Sequence, residues 1–232
     1  LRKEIAGFRT NIRREQSCSI KSLTRDYLYK QLLSSGEYTF DHMLVIKDPY
    51  GEAPLTALAL FILEEPACVR VTTKGNLKET DFVTELPKKK EHRVPILGMY
   101  AEKANDIVIE ILDDEGNCVK SHTFTIRTKR LPKSLRNVIT VKKWTDKPAY
   151  SNIMINGGVK IHTCVFDIEG EIRYYLSRKP RGYGIFPLSD GHFFYMEKYI
   201  SVPSYSNPQT VESYDMDYFG RVFRTYLTEK GV

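Results

Sequence analysis

The hydrophobic positions of the chain change their period once, near residue 38. Before that point, apolar side chains recur at helical spacing and Gly36 offers a stop. The residues with this spacing are Ile20, Leu23, Tyr27, Leu28 and Leu32. They predict a helix that places them on one face. From Tyr38 onward apolar and polar residues alternate, which predicts β-strands. The sequence therefore predicts a helical lead-in over residues 1–37, followed by a mostly β chain.

Five or six short strands follow Tyr38 without helices between them. The predicted strand segments are Tyr38–Ile46, Leu55–Leu63, Cys68–Thr73, Ile107–Ile111 and Val119–Ile126. Residues 48–51 form a Pro- and Gly-containing turn, and the acidic residues 113–117 join the last two strands as a hairpin. This arrangement is typical of a small antiparallel, Ig-like β-sandwich, which we place over residues 38–128.

The remainder of the chain divides into two stretches of different composition. Residues 129–149 are basic and contain Pro132 and Pro148, so we interpret them as a linker in which residues 138–141 could add an edge strand. Residues 150–232 are rich in Tyr and Phe and consist of predicted hairpins with Gly-containing turns, among them residues 185–196.

A six-residue pattern recurs in this last stretch. Asp167–Ile172 is repeated 50 residues later as Asp217–Val222, and each copy is an Asp-x-x-Gly turn that leads into an aromatic strand. A unit of several strands that repeats every 40–50 residues is typical of a propeller blade. A propeller needs about four to eight blades to close. We therefore expect the first blade and the start of a second, from the front part of a longer protein. The alternative is that a common hairpin turn occurs twice by chance.

Composition excludes several classes of protein. The chain has 232 residues, 41% of them hydrophobic, and a formal net charge of +6, which indicates an ordinary globular protein and not a disordered one. The basic residues concentrate at Lys88–Lys90 and within 129–147, without any nucleic-acid-binding motif beside them, so we expect no nucleic-acid partner. No stretch approaches the ~18 consecutive apolar residues of a membrane span.

No residue pattern in the chain indicates catalysis, a metal site or a cofactor. The four cysteines, at positions 18, 68, 118 and 164, form no Cys-x-x-Cys pair, and three disulfide pairings would be open to an exported chain. The five histidines show no metal-binding spacing. His162 and Cys164 share a strand face, and we interpret them as a structural pair because no third group orients them.

Two stretches nevertheless resemble the amino-terminal domain of bacterial aryl-sulfate sulfotransferases. The first runs over Asp48–Leu58 and continues into Glu65–Val71 with Lys74-Gly75. The second is Glu91–Tyr100, similar to that family's His-x-x-Pro-Ile-x-Gly-Leu-Tyr hallmark with Met99 in place of the usual Leu. The segment Asp167–Leu176 is similar to the opening of the family's propeller. The resemblance covers roughly residues 38–232, and residues 1–37 contribute little to it.

The resemblance implies an Ig-like β-sandwich packed on a six-bladed propeller, in an exported enzyme that is periplasmic, surface-bound or secreted. Such an enzyme moves a sulfuryl group from a phenolic sulfate ester to a phenol through a sulfohistidine, without a cofactor. None of the five histidines matches the family's catalytic positions, so the resemblance implies no catalytic residue in this chain, and we expect the chain alone to be inactive. Its expected partners are the phenolic substrates and the remaining blades, and a homodimer is left open.

Two polar aromatic residues of the hallmark are candidates for contact with substrate. His92 and Tyr100 could reach the mouth of the propeller's funnel. The interpretation we favour is structural: they fix the contact between sandwich and propeller, with the Tyr100 hydroxyl hydrogen-bonded at that boundary. A different function for the whole chain is a stand-alone β-sandwich module of an exported surface protein that binds a glycan or a protein partner.

Overall fold

The chain is mostly β and its sheets are antiparallel. The computed structural model describes residues 14–141, 152–155, 161–178, 182–199 and 210–227. Its elements are α1 (Arg14–Ser34), β1 (Leu44–Lys47), β2 (Ala57–Thr73), β3 (Phe82–Ile96), β4 (Ala104–Leu112), β5 (Cys118–Arg127), β6 (Asn152–Ile155), β7 (Cys164–Asp167), β8 (Ile172–Tyr175), β9 (Gly182–Pro187), β10 (Phe193–Tyr199), β11 (Thr210–Met216) and β12 (Val222–Leu227). Short 3-10 helices lie at Lys78–Thr80 and Lys133–Leu135. The architecture is consistent with the predicted Ig-like sandwich followed by part of a propeller.

The first five strands form the sheet of the sandwich. Its order is β1-β2-β4-β5, and β3 pairs with β2. The two strands predicted over Leu55–Leu63 and Cys68–Thr73 are one continuous strand, β2, whose pairing with β3 shifts between Ile62 and Val69. Pro66 lies at this irregularity, where its missing N–H removes a ladder bond without ending the strand. The predicted hairpin over 107–126 is confirmed as β4 and β5.

Strand β3 was not predicted, although it contains the first part of the second hallmark stretch. Its middle is exposed from Pro87 through Glu91 and contains four charged residues in succession, so the apolar alternation is interrupted there. The charged residues Lys88–Lys90 protect this strand from pairing with another chain. Of the predicted strand Tyr38–Ile46, only the end is regular, as β1, while Thr39 makes an isolated bridge to Ile62.

Two further sheets follow the sandwich. We call β6-β7-β8 the middle sheet and the four-stranded meander β9-β10-β11-β12 the distal sheet. The repeated turns occupy equivalent places, since Asp167 ends β7 before β8 and Asp217 follows β11 before β12. The hairpin predicted at 185–196 is confirmed as β9 and β10. The edge strand predicted at 138–141 is wrong: that segment has no regular structure, and Ile139 packs against the core instead.

The middle sheet is covered on both faces. Cys164, Ile172 and Tyr175 belong to the same cluster of contacting buried side chains as the sandwich core. Tyr174 and Leu176 belong to a second cluster, which contains the buried face of the distal sheet. The three sheets therefore pack in sequence order, sandwich to middle to distal.

Helix α1 is confirmed, but its buried face is not the predicted one. Of the predicted residues, four are at least 40% exposed: Ile20, Leu23, Tyr27 and Leu28. The buried positions are Ser22, Tyr29 and Leu33, of which the last two pack with Leu58 and Leu60 of β2. Tyr29 and Ser22 were not among the predicted positions, and each is buried with its hydroxyl bonded to a backbone group. Among the described residues, α1 is too polar and no other helix is long enough to cross a membrane.

Candidate functional site: the buried arginine junction

A buried arginine joins the middle sheet to the sandwich. Arg173 is the second residue of β8, and its side chain is 2% exposed. Its Nε donates to the carbonyl oxygen of Gly98 at 2.7 Å, and its Nη1 donates to the carbonyl oxygen of Thr80 at 2.8 Å. Nη1 also lies 3.0 Å from the Asp167 carboxylate, which is itself fully buried. A buried guanidinium is tolerated only when it is paired in this way.

Tyr100 completes the junction from the sandwich side. Its hydroxyl donates to Asp167 Oδ2 at 3.1 Å and accepts from Arg173 Nη1 at 3.0 Å and from the Asn76 backbone N–H at 2.9 Å. The Arg173 guanidinium carbon also lies 3.9 Å from the centre of the Tyr100 ring. Burial raises the pKa of Tyr100 above its ordinary value, so the phenol keeps its proton and can donate. We call Arg173, Asp167, Tyr100 and Thr80 the arginine junction.

The turn that precedes Tyr100 explains the hallmark sequence. Gly98 has a φ of +74°, and a Cβ there would lie 2.8 Å from the Cβ of Phe82. Only glycine therefore fits both the conformation and the space. Asn105 is buried and closes the turn on the other side, since its Oδ1 accepts from the Tyr100 N–H at 2.7 Å and its Nδ2 donates to the Tyr100 carbonyl at 3.0 Å.

His92 lies elsewhere in the sandwich and does not meet Tyr100. Its ring is 2% exposed, stacks on Phe61 at 5.3 Å between centroids, and bonds through Nε2 to the Lys89 carbonyl at 2.8 Å. Burial lowers the pKa of His92, so the imidazole is neutral near pH 7. Both candidate residues thus have protein partners for their polar atoms.

A second polar contact joins α1 to the sandwich and the distal sheet. The Asp26 carboxylate lies 2.6 Å from the Arg221 guanidinium and 3.3 Å from that of Arg93, and it accepts from the Tyr50 hydroxyl at 2.5 Å. The Ser22 hydroxyl accepts from the buried N–H of Val222 at 2.9 Å. Helix α1 therefore ties the distal sheet to the sandwich.

The described residues contain no group of side chains that could hold a metal ion. Cys68, Cys118 and Cys164 are free thiols, and the side chain of Cys18 lies outside the described residues. His162 Nδ1 is 2.6 Å from the Ser134 hydroxyl, and no carboxylate among the described residues orients this pair. What the arginine junction can do chemically is hold two sheets in one geometry, because its ion pair is buried and bonded to both of them.

The sandwich matches a known family. Residues 44–129 match the family model described as the arylsulfotransferase Ig-like domain. Over these residues the sandwich is similar to that domain. The resemblance drawn from the sequence is thereby confirmed over this range, which contains His92, Gly98 and Tyr100. No curated protein matches the chain significantly. The middle and distal sheets, and with them Asp167 and Arg173, lie outside the part matched to the Ig-like domain.

Sequence reasoning missed Arg173 and the role of α1. One signal could have found the arginine: it is the single charged residue in the apolar segment Ile172–Leu176, and a charge in such a strand is buried only with a partner. Its partner, Asp167, was recognised only as a turn residue. No comparable signal indicated α1, because Ser22 and Asp26 are ordinary polar helix residues and the helix lies before the matched Ig-like domain.

Proposed function

We propose that this chain is the amino-terminal part of an exported aryl-sulfate sulfotransferase, in which the Ig-like domain supports the first blades of a β-propeller. The observation that carries the proposal is the match of residues 44–129 to the arylsulfotransferase Ig-like domain. We retain the proposed division into a lead-in (1–37), the sandwich (38–128), a linker (129–149) and the blade region (150–232). Phenolic sulfate esters and phenols are the proposed substrates of the whole protein.

The packing of the sheets supports a propeller. Val165, Tyr174 and Leu176 of the middle sheet cover the distal sheet. Fifty residues later, the equivalent positions are Asp215, Arg224 and Tyr226, which lie on the face of the distal sheet opposite its buried one. Likewise, Cys164, Phe166 and Ile172 face the sandwich, and their equivalents Tyr214, Met216 and Val222 face the middle sheet. Each sheet thus covers the next one with the same side, as stacked blades do.

In the proposed reaction a histidine nitrogen attacks the sulfur of the donor ester, and the bond from sulfur to the phenolic oxygen breaks. The donor phenolate leaves and takes up a proton. The acceptor phenol then loses its proton to a base while its oxygen attacks the sulfohistidine sulfur, and the sulfur–nitrogen bond breaks to regenerate the histidine. Positive groups around the sulfuryl oxygens stabilise the anionic transition state. We propose that these groups lie in later blades, beyond Val232.

For His92 and Tyr100 we propose the structural role over the substrate-binding one. Two facts support it: both side chains are buried, and the Tyr100 hydroxyl is shared among Asp167, Arg173 and Asn76. Tyr100 would then align the Ig-like domain with the first blade, and His92 would fill the sandwich core against Phe61. Homodimer formation stays a prediction.

The test uses the gene's reading frame beyond Val232 and the protein that it encodes. We expect further units of 40–50 residues, with a histidine within about two dozen residues of Val232 and more His and Arg in later units. The full product should transfer sulfate from 4-nitrophenyl sulfate to phenol and trap a ³⁵S label on a histidine. The chain of residues 1–232 should do neither. A stop codon directly after Val232, or a full product that never labels a histidine, would favour the stand-alone binding module.

A further inference from the structure

A cleft of about 360 Å³ lies between the carboxyl end of α1 and the irregular middle of β3. Leu33 of α1 forms one apolar wall, and Leu86 with Pro87 of β3 forms the other. None of the four residues of the arginine junction lines the cleft. It therefore lies apart from the junction, between α1 and the Ig-like domain, with an apolar interior that is open at the surface.

Positive charge dominates the rim of this cleft. Lys89 and Arg93 line it together with one acidic residue, Glu91. His92 also lines the cleft, and its buried ring is neutral as described above. The carboxylate nearest to Arg93, that of Asp26, is shared with the Arg221 guanidinium, so one negative charge serves two positive ones.

We propose that this cleft binds a small organic anion with an apolar, aromatic body. The body would lie between Leu33 and the Leu86–Pro87 wall, which removes apolar surface from water. Its anionic group would face Lys89 and Arg93, whose charge exceeds that of Glu91. Because both cations are exposed to solvent and screened, we expect a dissociation constant on the order of 1 mM. The inference concerns noncovalent binding and does not rest on the proposed sulfotransferase activity.

The test is a titration of the ¹⁵N-labelled chain with phenyl sulfate, followed by amide chemical shifts. Inorganic sulfate and phenol serve as the two half-ligands, one without the apolar body and one without the charge. We expect phenyl sulfate to shift the amides of Leu86, Lys89 and Arg93, and each half-ligand to bind at least about fivefold more weakly.

A charge reversal and a matched control locate the site. Lys89→Glu removes a rim cation at an exposed position, so the fold should survive, and binding of phenyl sulfate should weaken about tenfold. Lys129→Glu changes the net charge equally at an exposed position outside the cleft, and we expect less than about a twofold change there. Any of three results overturns the proposal: no shifts in these amides up to ~20 mM phenyl sulfate, equal affinity for inorganic sulfate, or unchanged affinity in Lys89→Glu.

Discussion

Two turns of this molecule have the same sequence pattern and nearly the same backbone, yet their aspartates have different surroundings. In both, the Asp Oδ1 accepts the backbone N–H groups two and four residues later, and the Gly N–H bonds back to the Asp carbonyl at 2.9 Å. Asp167 also forms a buried ion pair with Arg173. At Asp217 the residue equivalent to Arg173 is Phe223. Burial raises the pKa of Asp217, which forms no ion pair among the described residues.

The difference shows that the first copy of the repeat, at Asp167, also makes a buried ionic contact at the boundary with the Ig-like domain. The turn at Asp167 faces a different kind of neighbour, the Ig-like domain, and is fixed to it by charge-assisted hydrogen bonds. The turn at Asp217 contacts both the middle sheet and the sandwich through aromatic rings, since Tyr218 lies 5.9 Å from Tyr174 and Phe219 lies 6.3 Å from Tyr50. A repeat in sequence therefore does not imply a repeat in energetics, because each copy adapts to the surface that it covers.

The largest effect should come from removing the arginine of the first turn. Arg173→Met leaves the Asp167 carboxylate buried without its cation, and we expect the free energy of unfolding to fall by about 3–5 kcal/mol. Arg70→Met is the control, since Arg70 pairs with Glu85 at 2.7 Å on the surface, and we expect a loss of at most about 1 kcal/mol. Urea unfolding measures both. Equal losses in the two variants would show that the junction is not special.

A smaller loss should follow from crowding the turn that receives Arg173. Gly98→Ala introduces a Cβ at a φ of +74° and against Phe82, so we expect a loss of about 2–4 kcal/mol. Gly116→Ala is matched in conformation, with a φ of +84°, but has nothing within 4 Å, and should lose only about 1–2 kcal/mol. Thermal unfolding separates the contact from the conformation. The account of the hallmark turn fails if Gly116→Ala is the more damaging of the two.

The distal sheet lacks an arginine junction, and we expect α1 to supply part of its attachment. Ser22→Ala leaves the buried N–H of Val222 without an acceptor and should lower the free energy of unfolding by about 1–2 kcal/mol. Thr24→Ala, two positions away from Ser22, removes only an exposed intrahelical bond and should cost less than about 0.5 kcal/mol. Hydrogen exchange at Val222 should accelerate in the first variant alone. Unchanged protection there would mean that α1 does not hold the sheet.

The pKa shifts of the two regions predict opposite pH dependences. Burial lowers the pKa of His92 in the folded protein. The unfolded protein therefore binds a proton at this histidine first, and the free energy of unfolding falls as the pH drops below about 6.5. The raised pKa of Asp217 acts the other way, so that its contribution to stability is lost as pH rises from about 4. His92→Gln should flatten the loss of stability between about pH 7 and 5, by less than about 1.4 kcal/mol per pH unit. Denaturant unfolding at several pH values tests this, and an unchanged slope would contradict it.

The sequence predicted what depends on local pattern and missed what depends on partners. Alternation and turn residues were enough to place the β4–β5 and β9–β10 hairpins. Helical spacing placed α1 but selected the wrong face, because the sandwich buries Tyr29 and Leu33 and leaves the Ile20 side exposed. The period of the apolar residues does not show where strand pairing becomes irregular. For that reason β2 was predicted as two strands, and β3 was not predicted.

The same dependence on distant partners explains which residues of the candidate site could be predicted. Gly98 and Tyr100 were found through a resemblance, which identifies positions but not contacts. Arg173 was missed because its partners, the carbonyl groups of Thr80 and Gly98, lie 93 and 75 residues away in the chain. A carbonyl group has no signature in sequence, so only the folded arrangement could reveal this junction.

One paired substitution tests the central comparison most directly. Asp167→Asn and Asp217→Asn make the same change at equivalent turns, and an asparagine Oδ1 can still accept both backbone N–H groups. By urea unfolding at pH 7, we predict that Asp167→Asn loses about 3 kcal/mol because Arg173 remains buried without its counter-charge. We predict that Asp217→Asn changes stability by less than about 1 kcal/mol, with any change a gain, because it removes a carboxylate that burial disfavours. Equal losses at both positions, or a larger loss at Asp217, would contradict the account.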